Sequence, residues 1–270
     1  QTINAIWFNP RDGSSTYAGQ YSNTGTQTFE PPSRGYGNDW VLSLDDASRG
    51  YTEPVPIPTP VPVIQPGDSI TGSVSDSSAT IPYRLYEPAG VAPGQKVPLI
   101  LYLHGMGGRG TENITQTTWM GGLGTNATSG QNASYILAPQ IDTSMWFQSY
   151  NSSPTEAMKL TIKALQEVIA TQNVDTSRIY VTGVSMGGMG TWDILRWLPD
   201  TFAAAVPMSG GADPSTAAAI KDIPVWAFHG ANDTVVPVSA TRNIIQALRD
   251  AGGDPKYTEV AGGGHVIWPG

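Results

Sequence analysis

The chain reads as an α/β protein: a doubly wound, mostly parallel sheet preceded by a short β-rich N-terminal segment. Three observations carry this reading. From about residue 68 onward, short continuous apolar runs alternate with amphipathic helical stretches, the pattern of strands and crossover helices on a parallel sheet. Prolines at 54, 56, 58, 60, 62 and 66 set that region apart from residues 1–50. A Gly-Val-Ser-Met-Gly turn at 183–187 stands between an apolar run and a helical stretch.

Residues 1–50 hold three runs of strand character, 4–8, 26–29 and 39–44, separated by Gly, Pro, Asn and Ser. That punctuation suits a small antiparallel unit. Residues 51–67 alternate Pro with Val, Ile and Thr, which favours an extended spacer, with an edge strand as the alternative. The main domain is expected over 68–270. Its strands are the runs at 97–103, 135–138, 179–182, 203–207 and 225–228, with a last run at 257–260. Unbroken apolar character is what a strand buried on both faces requires. Ser153-Pro154-Thr155-Glu156 reads as a capping box with Pro at the first helical position. It opens a helix with Met158, Ile162, Leu165 and Ile169 on one face. A further helix is expected from about Ser239, burying Ile244, Ile245 and Leu248 and stopping at Gly252-Gly253.

Composition narrows the chemistry. Hydrophobic residues make up 39% of the 270 positions, enough for a packed core, and charged residues only 13%. The formal net charge of −8 opposes binding to nucleic acid and to anionic membrane surfaces. No apolar run reaches a membrane-spanning length. Cysteine is absent, so neither a disulfide framework nor a thiolate metal site can form. With three histidines and no cluster of ligand-spaced His, Asp and Glu, no metal and no cofactor is expected. A lysine-poor, cysteine-free, Asn/Ser/Thr-rich chain suits a secreted, extracellular bacterial protein. Five Asn-x-Ser/Thr sequons, at Asn113, Asn126, Asn132, Asn151 and Asn232, matter only in a eukaryotic host.

The 183–187 turn follows a strand and precedes a helix, the context of a nucleophile elbow. Ser185 is held in a sharp turn that leaves no room for bulk beside it, hence Gly183 and Gly187. A hydroxyl needs a base to become a nucleophile. In sheets that carry the serine this way, the chain order is serine, acid, histidine. His104 precedes the serine. His229 ends a strand and reads as packing for the loop after it. His265, in Gly262-Gly263-Gly264-His265, is the expected base. The expected acid is Asp233, in the loop after the 225–228 strand. Asp213 is the chief rival, and Asp193, Asp200 and Asp222 also lie between serine and base. The oxyanion needs two backbone N–H groups. One is expected from Met186, the residue after the nucleophile. The other is expected from Met106, with Gly107 as alternative, in the loop Leu103-His104-Gly105-Met106-Gly107-Gly108. Trp146, in the polar loop 140–150, and Trp268, three residues past His265, are the expected substrate contacts. Trp119 and Phe147 are further candidates for the cleft lining.

These residues carry a resemblance. Ile81-Pro82-Tyr83-Arg84-Leu85-Tyr86, the stretch from Leu103 to Asn113, Ala138-Pro139-Gln140, the elbow through Asp193, Ala227-Phe228-His229-Gly230 with Asp233, and Gly264-His265 are similar to serine esterases of the α/β-hydrolase fold. The similar groups are feruloyl esterases, acetyl xylan esterases, polyhydroxybutyrate depolymerases and their phospholipase/carboxylesterase-like branch. The resemblance implies metal-free ester hydrolysis through an acyl-enzyme, on acylated plant polysaccharides, aryl esters or polyesters. Trp7-Phe8-Asn9-Pro10-Arg11 and Asp39-Trp40-Val41-Leu42 resemble a β-rich module found after some glycoside hydrolase domains. Members of the esterase group continue into a final helix after the histidine, so both ends are expected to be cut from a longer, multimodular chain. Two rival functions stay open here. One is a serine peptidase of the same fold. The other is a carbohydrate-binding protein with an inactive hydrolase domain.

Overall fold

The computed structural model describes residues 2–9, 14–33, 40–49, 69–88, 91–92, 94–124, 133–149 and 151–268. The chain divides into two compact units, Gln1–Val63 and Ile64–Gly270. The expected spacer at 51–67 lies outside the described residues.

The first unit is a three-stranded antiparallel sheet of β1 (Thr2–Phe8), β2 (Ser15–Ser22) and β3 (Val41–Asp46), in the order β2-β1-β3. Ala5, Ile6 and Phe8 of the central strand are buried. The expected strand at 26–29 does not form. Phe29 instead sets its ring edge-on against Tyr21 of β2, with centroids 5.0 Å apart. A single aromatic finds more buried contact there than an isolated short strand would provide. Of the expected run at 39–44, Asp39 lies outside the described residues, and β3 starts at Val41.

The second unit holds an eight-stranded sheet in the order β11-β10-β9-β8-β6-β7-β5-β4. Its strands are β4 (Ser69–Ser75), β5 (Thr80–Tyr86), β6 (Val97–Leu103), β7 (Tyr135–Pro139), β8 (Val174–Val184), β9 (Ala204–Met208), β10 (Trp226–Gly230) and β11 (Lys256–Val260). Pairing is parallel from β7 through β11, while β5 runs against both of its neighbours. Its helices among the described residues include, in chain order, α1 (Glu156–Thr171), α2 (Met186–Trp197), α3 (Ala217–Ile220) and α4 (Val238–Asp250).

Alternation along β6 places Leu99, Leu101 and Leu103, each 0% exposed, on one face. They join Met158 and Leu165 of α1, Ile194 of α2, and Ile244 and Leu248 of α4 in the main core. Each such side chain contributes about 1.5–3 kcal/mol by leaving water. Tyr102 on the opposite face joins Tyr86, Ile136, Ala138 and Met120 in a second, smaller cluster. One expected detail is corrected. The N-cap of α1 is Thr155, whose hydroxyl accepts from the Met158 N–H at 3.1 Å, and Glu156 is the first helical residue. Ser153 lies outside the helix, its carbonyl accepting instead from the Ser149 hydroxyl at 2.7 Å.

The fold gathers the chemistry at one edge. The loops leaving the C-terminal ends of β6, β8, β10 and β11 carry Met106, Ser185, Asp233 and His265 respectively. That is the end of a parallel sheet where ligands bind.

Candidate active site

Ser185 occupies the turn between β8 and α2 with φ 56° and ψ −118°. A non-glycine residue in this region stores about 1–3 kcal/mol of strain, and the surroundings hold it there. Its N–H donates to the Met208 carbonyl at 2.9 Å. The flanking glycines are required by close approach. A Cβ on Gly183 would sit 2.4 Å from the Gly187 carbonyl oxygen, and one on Gly187 would sit 1.9 Å from the Leu103 carbonyl oxygen.

The structure brings Ser185, His265 and Asp233 together. His265 Nε2 lies 2.8 Å from the Ser185 Oγ, and His265 Nδ1 lies 2.7 Å from Asp233 Oδ2. The glycine loop that carries His265 is tied down: Ser209 donates its hydroxyl to the His265 carbonyl at 2.8 Å, and the Asn232 N–H donates to the Gly263 carbonyl at 2.8 Å. Asp233 Oδ1 accepts from the N–H groups of Val235 and Val236 at 2.8 and 2.9 Å. Burial pushes the Asp233 carboxyl up. The hydrogen bond from His265 and the two backbone N–H groups outweigh it and hold the carboxyl below its ordinary range. The rival acids lie elsewhere. Asp213 is exposed and caps the 3-10 turn Pro214–Thr216 through the Ser215 N–H. Asp193 is buried on α2 and pairs with Arg196 at 2.8 Å and the Trp197 ring N–H at 3.0 Å.

Met186 and Met106 each begin a helical turn, α2 and the 3-10 turn Met106–Gly108. Their N–H groups therefore have no acceptor within their own turns. The loop carrying Met106 lies against Ser185, since a Cβ built on Gly105 would lie 3.6 Å from the Ser185 Cβ. His104 sits beneath this loop, fully buried. Its Nε2 accepts from the Ile141 N–H at 3.2 Å, so Nδ1 carries the proton and donates to the Gly105 carbonyl at 2.7 Å. Burial pushes its pKa down to about 4, against the pull of the Gly105 carbonyl.

A brace on this loop is absent from the expected residues. Gln140 is fully buried. Its amide N–H₂ donates to the Gly108 carbonyl at 3.1 Å and to Glu112 Oε1 at 2.7 Å, while its Oε1 accepts from the Asn113 N–H at 2.6 Å. Its partners lie about thirty positions back along the chain, so no local pattern betrays it.

Trp146 is 46% exposed, and the Arg109 guanidinium lies over its ring, 5.8 Å from the centroid. Arg109 in turn donates to the Met106 carbonyl at 3.4 Å, which places Trp146 beside the loop that carries Met106. Trp268 is buried and meets the His265 ring edge-on, with centroids 5.6 Å apart. Phe147 is buried completely and packs against the His104 ring. Trp119 lies with Trp268 in a groove of about 480 Å³ on the sheet face of Tyr102 and Tyr180. Among the described residues, no group of three or more His, Cys, Asp or Glu is placed to hold a metal ion. A hydroxyl with an imidazole on it, a carboxylate behind the imidazole and two N–H groups at turn starts can run acyl transfer without further groups.

Comparison with known proteins bears on the family and the fold. Residues 1–45 match the family described as "Putative collagen-binding domain of a collagenase". Over 167 residues, 62% of this chain, the sequence is 26% identical to the bifunctional acetylxylan esterase/xylanase XynS20E of Neocallimastix patriciarum. Over 123 residues, 42% of this chain, it is 30% identical to poly(3-hydroxyalkanoate) depolymerase C of Paucimonas lemoignei. The matched regions span 23% and 28% of those two proteins. The crystal structure of a thermostable esterase superposes with a TM-score of 0.66 at 27% identity, covering 96% of this chain and 81% of that one. Residues 91–270 match the phospholipase/carboxylesterase family across its α/β unit, and the chain belongs to that family.

Proposed function

We propose that the α/β unit is a serine carboxylic-ester hydrolase that works through an acyl-enzyme. The observation that carries this reading is the unbroken contact from Ser185 Oγ through His265 to Asp233, at 2.8 and 2.7 Å. Ser185 Oγ attacks the ester carbonyl carbon while His265 Nε2 takes its proton. The carbonyl oxygen becomes an oxyanion facing the N–H groups of Met106 and Met186. The imidazolium gives its proton to the departing alcohol, leaving an acyl group on Ser185. Water then attacks the acyl carbonyl with His265 again as base, releasing the acid and restoring the serine. Asp233 holds the imidazole in the tautomer that presents Nε2 to the serine, and it stabilises the imidazolium.

The substrates that fit are acyl or aryl esters carried on a polymer, a plant polysaccharide or a polyester. Two findings support this. Met106 and Trp146 present apolar side chains to solvent, at 50% and 46% exposure, beside the oxyanion loop. An apolar rim suits an extended surface better than a free polar metabolite. The names of the two relatives also speak of acetylated xylan and polyhydroxyalkanoate. Such polymers are met outside the cell, so secretion is part of the proposal.

The test is a matched panel: short aryl esters, methyl ferulate, acetylated xylan, a polyester film, and an amide isosteric with the best ester. Turnover of esters with the amide left intact supports the reading. Equal turnover of the amide would make the protein a peptidase, and no turnover with no labelling by a fluorophosphonate would make it a binder.

A further inference from the structure

His229 makes two contacts that its place at the end of β10 does not require. It is completely buried. Its Nε2 lies 3.1 Å from Asp233 Oδ2 and 3.0 Å from the Val236 carbonyl oxygen. Both neighbours are acceptors only, so Nε2 carries a proton; it donates to the Val236 carbonyl, with the carboxylate oxygen in close contact beside it. On the other side of the ring, Nδ1 lies 2.7 Å from the hydroxyl of Thr241, a buried residue of α4 that also reaches the Gly210 carbonyl at 2.8 Å.

The consequence falls on the carboxylate. Asp233 Oδ1 takes the N–H groups of Val235 and Val236, and Oδ2 takes His265 Nδ1, with His229 Nε2 3.1 Å away in close contact. The Val236 carbonyl that His229 holds belongs to the residue whose N–H fixes Oδ1. One ring thus steadies the turn behind the carboxylate and sets a polar N–H beside Oδ2. We propose that His229 is a positioning residue for Asp233 and, through it, for the His265 ring, so that the functional chain extends from Ser185 through His265, Asp233 and His229 to Thr241. This rests on the proposed esterase mechanism. The chemistry is that of an outer hydrogen-bond partner that orients a working group. A side chain that only filled space would need neither the proton on Nε2 nor the hydroxyl on Nδ1.

The experiment uses the full chain and two readouts. His229→Leu keeps the volume and removes the donor, and His229→Gln returns an N–H. On a short aryl ester, His229→Leu is expected to lower kcat by about 10- to 100-fold with KM changed little, as misplacement of a working group does. His229→Gln should recover most of that loss. The second readout is the downfield proton resonance of the Nδ1–H of His265 on Asp233. With the polar N–H beside Oδ2 gone, the carboxylate holds the His265 proton more strongly, so the resonance should move further downfield in His229→Leu and return toward its original place in His229→Gln. A folded His229→Leu with unchanged kcat and an unmoved resonance would overturn the proposal, as would a His229→Gln no better than His229→Leu. If His229→Leu does not fold, Thr241→Val removes the anchor on Nδ1. A loss of kcat with a moved resonance there supports the proposal, and wild-type values for both overturn it. The resonance does not depend on turnover. A wild type inactive on every ester would therefore defeat the esterase reading while leaving His229 testable.

Discussion

His265 Nε2 and Ser185 Oγ stand 2.8 Å apart although eighty positions separate them in the chain. The sheet order closes that distance. β8, which leads into Ser185, is joined through β9 and β10 to β11, which leads into His265, and all four run parallel.

The acid is tested by a pair of substitutions. Asp233→Asn keeps the shape but cannot hold the same histidine tautomer, and kcat is expected to fall by about 10⁴-fold. Asp213→Asn alters an exposed turn cap and should leave kcat/KM within roughly twofold. Rates of both variants on one aryl ester decide the matter, and the reverse ranking would move the acid to Asp213.

Stability against pH should carry the mark of His104. Its ring is buried, and its pKa falls from 6.5 to about 4 on folding. The unfolded chain therefore binds a proton there that the folded protein refuses. Stability from this residue is complete above about pH 6.5, is lost as pH falls towards 4, and is constant below; the full loss is about 3 kcal/mol. Denaturant unfolding at pH 7 and pH 4.5 should show a smaller drop in His104→Asn than in wild type. Equal drops would mean that the ring takes up a proton in the folded state.

Gly187→Ala tests the close approach of the elbow to β6. The added Cβ meets the Leu103 carbonyl oxygen at 1.9 Å and the His104 carbonyl oxygen at 2.7 Å, and backbone cannot swing aside as a side chain can. The expected cost is about 1–3 kcal/mol, with activity falling because the loop that carries Met106, the proposed oxyanion donor, follows Leu103 directly. A variant with wild-type melting temperature and activity would contradict this packing.

Much of the candidate site is legible because its signals are local. The turn at Ser185 declares itself through the glycines that flank one serine, His265 through chain order and the scarcity of histidine, and Asp233 through its place in the loop after a strand. What was hidden depends on contacts between distant segments. Gln140 braces Gly108, thirty-two positions away, and Ser209 reaches the His265 carbonyl, fifty-six positions away. Strand β2 escaped notice because Ser15-Thr16-Tyr17-Ala18-Gly19-Gln20-Tyr21-Ser22 has no apolar alternation. β4 is marked weakly, with Ser and Thr on one face and only Ile70, Gly72 and Val74 on the other, of which Ile70 is exposed and Val74 alone is buried. The α1 cap was misplaced by two residues because Ser153 and Thr155 are both good capping residues, and only the fold shows which hydroxyl meets an N–H.

The first unit holds none of the residues in the proposed mechanism. A chain beginning near residue 66 is expected to fold and to keep its kcat on a small soluble ester. The check is kcat with and without residues 1–65, read beside the far-ultraviolet spectrum of each. A folded, truncated protein with collapsed kcat would mean that the first unit helps to build the site.

The central claim is that Ser185 is the nucleophile. The most direct measurement is stoichiometric labelling of the full chain with a fluorophosphonate, followed by peptide mapping and by aryl-ester rates for Ser185→Ala. One label per chain on Ser185, no label on the variant, and a loss of roughly 10³-fold or more in kcat are the expected results. A label on another residue, or a Ser185→Ala variant that keeps more than about a tenth of wild-type activity where loss of a nucleophile removes nearly all of it, would contradict the claim.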